Sequence, residues 1–198
     1  MEGAIKIGLF GGSFDPIHNG HLLLANWTKE KLRLERIIFI PAAIPPHKQQ
    51  TPLTNATHRY RMVQLAIESF PDFEVSDIEL QRGGISYTID TIYYFKKKFN
   101  LSRRDLYLII GADSLIDFKN WRSPYKIIAN CQLVVLQRPN VDLTKAETVY
   151  RQHAIILSSP LISISATEIR QRIREGLPIT ELVPAKVERY IYEFGLYR

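Results

Sequence analysis

Short runs of β-branched and aliphatic residues alternate with helical patterns along the whole 198-residue chain. This alternation predicts right-handed β-α-β crossovers and therefore a mostly parallel sheet flanked by helices on both faces. The predicted strands are 4–10, 36–40, 73–78, 106–110, 133–136 and 154–157, and the predicted helices are 20–32, 60–70, 88–99, 166–175 and 185–194. Because no linker or repeat interrupts the pattern, we expect one Rossmann-like α/β domain over residues 1–198.

Composition limits the class of partner. The net charge is +6, which favours anionic partners but does not separate nucleic acids from small phosphorylated metabolites. The single cysteine, Cys131, excludes an internal disulfide framework and is predicted to be a buried thiol. No apolar stretch approaches the roughly 20 residues that span a bilayer, and the first residues show no signal-peptide core. We therefore expect a cytoplasmic protein without a membrane partner.

The first predicted strand is followed by Gly11, Gly12, Ser13, Phe14 and Asp15. Ligands of parallel α/β sheets bind beyond the carboxyl ends of the strands, so this turn is a candidate site. The turn matches neither the dinucleotide-binding glycine pattern nor a P-loop. Its paired glycines still allow backbone N–H groups to approach a ligand. Asp15 is interpreted as a turn-forming residue rather than a metal ligand.

His18 and His21 lie on either side of Gly20, where the next helix is predicted to begin. With Asn19 as the N-cap, both imidazoles would face an anion at the positive end of the helix, and Gly20 would leave that anion room. Zinc is a competing ligand, but His-x-x-His without a further ligand nearby is a weak zinc pattern. The pair therefore favours a phosphate site.

A second polar helix start lies near the end of the chain. Ser165 and Glu168 have the spacing of a capping box, and Arg170 then projects beside the cap. One interpretation is a capped surface helix with a solvated arginine. The other places a phosphate at the helix start, bound by Ser165, Thr167 and Arg170. The buried stripe of this helix is predicted to comprise Ile169, Ile173 and Leu177.

Two segments resemble the signatures of a known superfamily. Residues 11–22 resemble the His-x-Gly-His signature of the nucleotidyltransferases, and residues 164–170 resemble their second signature, Ile-Ser-Ser-Thr-x-x-Arg. Ala166 replaces the second serine, which puts one hydroxyl contact in doubt. Further segments narrow the resemblance to bacterial-type nicotinate-nucleotide adenylyltransferase: 45–48, 59–62, 86–91, 111–114, Trp121, 138–139 and 182–184 with Val187.

The resemblance implies adenylyl transfer from ATP to nicotinate mononucleotide, giving deamido-NAD and pyrophosphate in NAD biosynthesis. It also implies Mg²⁺, held mainly by the ATP phosphates rather than by protein ligands. The implied catalytic residues are His18, His21 and Arg170. The implied ATP-binding residues are Gly11, Gly12, Ser13, Phe14, His18, His21, Gly111, Asp113, Ser165, Thr167 and Arg170, and the implied substrate-binding residues are His47, Lys48, Tyr87, Thr88, Trp121 and Arg122.

Two alternatives remain at this stage. The substrate could be the amide, nicotinamide mononucleotide, alone or together with the acid. The chain could also be a non-catalytic nucleotide- or RNA-binding protein on the same fold. Both histidines and Arg170 are present, which argues against a catalytically inactive relative. The expected partners are therefore ATP and nicotinate mononucleotide rather than nucleic acid, and the sequence leaves open whether the chain forms a homo-oligomer.

Overall fold

A computed structural model describes residues 5–46, 52–137, 141–160 and 162–198. Within these residues the strands are β1 (Ile7–Gly12), β2 (Arg36–Pro41), β3 (Phe73–Val75), β4 (Leu106–Gly111), β5 (Gln132–Gln137) and β6 (Ala154–Ser158). They form one sheet in the order β3-β2-β1-β4-β5-β6, and every neighbouring pair is parallel. This confirms the predicted Rossmann-like fold with a parallel sheet.

Helices cover both faces of the sheet. The α-helices of the described residues are α1 (Asn19–Leu32), α2 (Ala56–Ile67), α3 (Ile78–Arg82), α4 (Thr88–Phe99), α5 (Ala112–Asp117), α6 (Pro124–Asn130), α7 (Thr148–Gln152), α8 (Ala166–Arg174) and α9 (Ala185–Glu193). One buried cluster packs α1, α2, α8 and α9 against the sheet, and a second packs α4 to α7 on the other face. None of these helices is long and apolar enough to cross a membrane.

Several predicted boundaries change in the structure. Helix α2 begins at Ala56 rather than at residue 60, because the Asn55 side chain caps it by accepting a hydrogen bond from the Thr57 N–H at 2.9 Å. The third strand ends at Val75, and α3 follows instead of further strand. Helices α3, α5, α6 and α7 were not predicted, since five to seven residues are too few to show a helical period.

The sheet order places β1 next to β4, and the connections from these two strands run toward opposite edges of the sheet. This is the topological switch point at which α/β sheets open a crevice for ligands. Gly11 and Gly12 end β1, and Gly111 ends β4. The carboxyl ends of these two strands therefore define the position of the candidate site.

The C-terminal half of α8 corrects one prediction. Ile169 is fully buried, but Leu177 is 43% exposed, because α8 ends at Arg174 and Gly176 turns the chain with φ +69°.

We expect Ile169→Ala to lower the free energy of unfolding by about 2–5 kcal/mol, since it opens a cavity in the core. Leu177→Ala, the matched control, should change it by less than about 0.5 kcal/mol. Urea unfolding followed by circular dichroism measures both, and equal losses would contradict this packing.

Candidate active site

The two motif histidines stack at the start of α1. Their ring centroids are 3.6 Å apart with 27° between the planes. His18 is the N-cap, which corrects the prediction that Asn19 caps the helix. The His18 backbone N–H donates to His21 Nδ1 at 3.2 Å, so the neutral His21 ring carries its proton on Nε2. The Asn19 side chain instead donates to the Glu181 carbonyl at 2.8 Å.

The sequence suggested that Gly20 leaves room for an anion, but the structure shows that close packing requires a glycine at this position. A Cβ at this position would lie 2.7 Å from Ile162 Cγ2 and 3.0 Å from His18 Nδ1. The segment before α8 therefore occupies the space beside Gly20. This close approach brings the two motifs together.

Arg170 joins the second motif directly to the first. Its Nη1 donates to the Asp15 carbonyl at 2.7 Å, and its Nη2 donates to Thr167 Oγ1 at 3.4 Å. Ser165 is the N-cap of α8, and its Oγ accepts a hydrogen bond from the Glu168 N–H at 3.2 Å. Two helix N-termini, those of α1 and α8, thus lie on either side of the turn after β1. Such termini favour anions through free N–H groups and the helix dipole.

Asp15 has structural partners in this turn. Its Oδ1 accepts a hydrogen bond from the Tyr197 hydroxyl at 2.8 Å, and its Oδ2 accepts one from the Thr54 N–H at 3.4 Å. Burial, reinforced by the Asp15 carboxylate, raises the pKa of the Tyr197 hydroxyl, so this group remains a donor. The carboxylate therefore ties the turn to the C-terminal segment, in agreement with its interpretation as a turn residue.

Arg59 organises the loops around the site, although no role was predicted for it. The side chain is 1% exposed and donates to four carbonyl oxygens: Thr54 at 2.8 Å, Ser13 at 2.6 Å, Ala42 at 2.7 Å and Ala43 at 3.2 Å. Burial lowers the pKa of this guanidinium, whereas the nearby Asp15 carboxylate raises it. One cation thus joins the turns after β1 and β2 to the segment before α2. The sequence does hold one signal of its burial: the helical spacing of Arg59 with Met62, Val63 and Ala66 places it on the buried face of α2.

A cavity of about 240 Å³ opens beyond the ends of β1 and β4. Its lining combines the turn after β1, the end of β4, the N-terminus of α4 and the segment 120–122. The predicted residues that line it are Gly11, Gly12, Ser13, Gly111, Tyr87, Thr88, Trp121 and Arg122. A Cβ at Gly11 or at Gly111 would meet no atom within 4 Å, so both glycines face open space. The cavity thus brings together predicted residues that are up to 111 positions apart in the sequence, from Gly11 to Arg122.

Aromatic groups line one end of this cavity. The Arg122 guanidinium lies 4.4 Å from the centroid of the Tyr87 ring, a cation–π contact. Trp121 packs against Phe118, with the ring centroids 5.0 Å apart, and also faces the cavity. A planar, partly charged ring could stack on these residues, since stacking aromatic faces favours flat ligands.

The remaining predicted residues have different positions. Phe14 is buried with φ +45°, and its ring packs edge-on against His21, so its backbone is the part that can contact a nucleotide. Asp113 is exposed in the first turn of α5. His47 and Lys48 lie outside the described residues, as do Arg138 and Pro139. Among the described residues, no group of three or more His, Cys, Asp or Glu side chains could hold a metal ion.

Known proteins resemble this chain along most of its length. A family model described as cytidylyltransferase-like matches residues 9–172. A protein of Dictyoglomus thermophilum named "Probable nicotinate-nucleotide adenylyltransferase" is 44% identical over 197 residues, covering 98% of this chain and 100% of the relative. A Thermoanaerobacter protein of the same name is 40% identical over 205 residues, covering 100% of this chain and 97% of the relative. The chain belongs to the nicotinate-nucleotide adenylyltransferase family.

Solved structures show the same fold at lower identity. The Plasmodium falciparum nicotinic acid mononucleotide adenylyltransferase complexed with NaAD matches with a TM-score of 0.80 and 19% identity, covering 98% of this chain and 97% of that chain. The same enzyme complexed with APC matches with a TM-score of 0.78 and 19% identity over 98% of this chain and 97% of that chain. At 19% identity these structural matches support only the fold. The family assignment rests on the relatives that are 40% and 44% identical.

The Arg59 contacts generate a stability prediction. We expect Arg59→Met to lower the free energy of unfolding by about 3 kcal/mol or more, because four carbonyls lose hydrogen bonds to a charged donor that contribute about 1.5–3 kcal/mol each, and the relieved cost of burying the cation offsets only part of that loss. Arg61→Met removes an exposed arginine from the same helix and should cost less than about 0.5 kcal/mol. Urea unfolding measures both variants. An Arg59→Met variant as stable as Arg61→Met would show that these hydrogen bonds do not stabilise the loops.

Proposed function

We propose that the protein transfers the adenylyl group of ATP to nicotinate mononucleotide, forming deamido-NAD and releasing pyrophosphate. The observation that carries this assignment is the meeting of two helix N-termini at one strand end, through the Arg170–Asp15 hydrogen bond of 2.7 Å. This arrangement suits a polyphosphate held from two sides. The adjoining cavity, with its aromatic end, suits a pyridine nucleotide.

The proposed chemistry needs positioning and charge neutralisation rather than a protein nucleophile. The phosphate of the mononucleotide is mostly dianionic at neutral pH, because its second pKa is about 6, and it attacks the α-phosphate of ATP directly. His18 and His21 would stabilise negative charge at the α-phosphate in the transition state. The His21 Nε2–H is suited to this role, since its Nδ1 is occupied by the His18 N–H. Ser165, Thr167 and Arg170 would bind the β- and γ-phosphates that leave as pyrophosphate.

The nucleoside ends are assigned to the cavity. The pyridine ring would stack on Trp121, and the N-terminus of α4 at Tyr87 and Thr88 would receive the nicotinate carboxylate. Gly11, Gly12, Ser13 and the backbone of Phe14 would contact ATP, with Gly111 and Asp113 on the adenosine side. Arg122 would support the pyridine end through its contact with Tyr87. His47 and Lys48 are proposed to bind the phosphate of the mononucleotide.

Mg²⁺ is proposed to enter with ATP as part of the substrate. The ion prefers phosphate and water oxygens and commonly keeps few protein ligands. Asp15, the carboxylate next to the turn after β1, already accepts hydrogen bonds from Tyr197 and Thr54. The ATP phosphates therefore remain the main proposed ligands. We also propose a cytoplasmic location, since both substrates are phosphorylated metabolites.

Pyrophosphate release tests the assignment. The purified protein is incubated with ATP and Mg²⁺ and with either nicotinate or nicotinamide mononucleotide. We expect release with the acid and a lower kcat/KM with the amide, because the carboxylate binds a helix N-terminus more strongly than a neutral amide does. Equal use of both would replace the proposal with a dual-specificity enzyme. No release from folded protein would favour a nucleotide- or RNA-binding protein instead.

The histidine roles generate a separate prediction. We expect His18→Ala and His21→Ala each to lower kcat by about 10²–10³-fold, the usual cost of removing a group that stabilises transition-state charge. His153→Ala is the matched control, since His153 is exposed just after α7 and does not line the cavity. Steady-state kinetics on variants with unchanged circular dichroism measure the effect. Near-normal turnover of both motif variants would remove the histidines from the mechanism.

A further inference from the structure

Glu79 is a buried carboxylate at the edge of the cavity that the proposed chemistry does not use. It lies on α3, is 7% exposed and lines the cavity beside Ser86, Tyr87 and Thr88. Burial raises the pKa of this carboxyl group, while its hydrogen bond to Thr91, the nearby Ser86 hydroxyl and the charge of Arg82 lower it. Burying a carboxylate costs free energy unless hydrogen bonds compensate it, so the partners of Glu79 indicate what it holds in place.

Two neighbours of Glu79 flank the N-terminus of α4. Thr91 Oγ1 donates to Glu79 Oε1 at 2.6 Å, and the Ser86 hydroxyl lies near enough to the Glu79 carboxyl group to lower its pKa. Ser86 precedes the N-cap Tyr87, and Thr91 lies one turn further along the helix. Glu79 therefore holds Thr91 directly and lies next to Ser86, and these two residues flank the backbone N–H groups of the first turn.

The same hydroxyls connect α4 to its surroundings. Ser86 Oγ accepts a hydrogen bond from the Ala43 N–H at 2.9 Å, and the Ser86 N–H donates to the Ile44 carbonyl at 3.0 Å. On the other side, Arg82 Nη2 donates to Thr91 Oγ1 at 3.2 Å and lies 3.9 Å from Glu79 Oε1. These contacts join α3, the start of α4 and the loop after β2.

We propose that Glu79 is a positioning residue that determines specificity for the acid over the amide of the pyridine mononucleotide. It acts through Ser86 and Thr91 on the first turn of α4, where the nicotinate carboxylate is assigned, so the inference rests on the proposed function. An anionic carboxylate depends on the direction of these N–H groups more than a neutral amide does, because charge-assisted hydrogen bonds are about twice as strong as neutral ones. Loss of the Glu79 contacts therefore penalises the acid selectively.

The test is steady-state kinetics on Glu79→Gln, which keeps the shape of the side chain but leaves one acceptor oxygen. We expect KM for nicotinate mononucleotide to rise about tenfold, the size of one charge-assisted hydrogen bond, with KM for ATP changed less than about twofold. The kcat/KM ratio of acid to amide should fall by a similar factor. Glu74→Gln is the control, because Glu74 lies on the edge strand β3 and pairs with Arg36 at 2.6 Å.

Thr91→Val provides a second measurement, since it removes the hydroxyl that donates to Glu79 and leaves the carboxylate in place. It should lower the acid-to-amide ratio in the same direction, including the case in which Glu79→Gln fails to fold. An unchanged ratio in Thr91→Val and in any folded Glu79→Gln would overturn the positioning role, as would an equal rise in KM for ATP and for the mononucleotide. Wild-type protein that releases no pyrophosphate would overturn the proposed function, and this inference with it.

Discussion

The buried guanidinium of Arg59 is the contact on which the arrangement of the site depends. Turns that follow parallel strands carry carbonyl groups that cannot pair within the sheet, and buried carbonyls need donors. The planar fork of an arginine supplies several donors in fixed directions, which suits it to collecting carbonyls from separate loops. Here it joins the turn after β1, the loop after β2 and the segment before α2. Asp15 supplies negative charge to the same turn and is itself held by Tyr197.

The consequence is that the turn after β1 has little freedom. Arg59 binds the Ser13 carbonyl from one side, Arg170 binds the Asp15 carbonyl from another, and Tyr197 binds the Asp15 carboxylate. His18 follows three residues later and is therefore placed by contacts that come from α2, α8 and the C-terminal segment. Preorganised groups of this kind stabilise charge without reorganising during the reaction. The shape of the proposed phosphate site is thus determined by tertiary contacts rather than by the local motif alone.

Local sequence patterns predicted the elements that have their own period. The structure confirms α4 at Thr88–Phe99, and the long strands β2 and β4 differ by one residue from their predicted limits. The short helices α3 and α5 to α7 lack a full period, and Leu177 was placed in the core because the helix was extended past its end. The contacts of Arg59 and Glu79 were missed for a different reason: Arg59 reaches Ser13, 46 residues away, and Glu79 reaches Thr91, 12 residues away. The motif histidines and Arg170 were found because their spacing is local, yet the Arg170–Asp15 contact spans 155 residues and has no pattern in the sequence.

The two halves of the candidate site rest on opposite faces of the sheet. Helices α1 and α8, which carry the histidines and Arg170, pack into the cluster with α2 and α9, whereas α4 and α5 pack into the other cluster. In the proposed assignment, the strands between them separate the phosphate-binding residues from those that recognise the pyridine and adenosine groups. Substitutions in one cluster should therefore disturb one group of contacts first, because close-packed interiors transmit strain mainly to their direct neighbours.

Arg59 and Ser86 join the two halves through the loop after β2. There the Ala43 carbonyl accepts a hydrogen bond from Arg59, and the Ala43 N–H donates one to Ser86. In the sequence this loop precedes His47 and Lys48, the residues that are proposed to bind the mononucleotide phosphate.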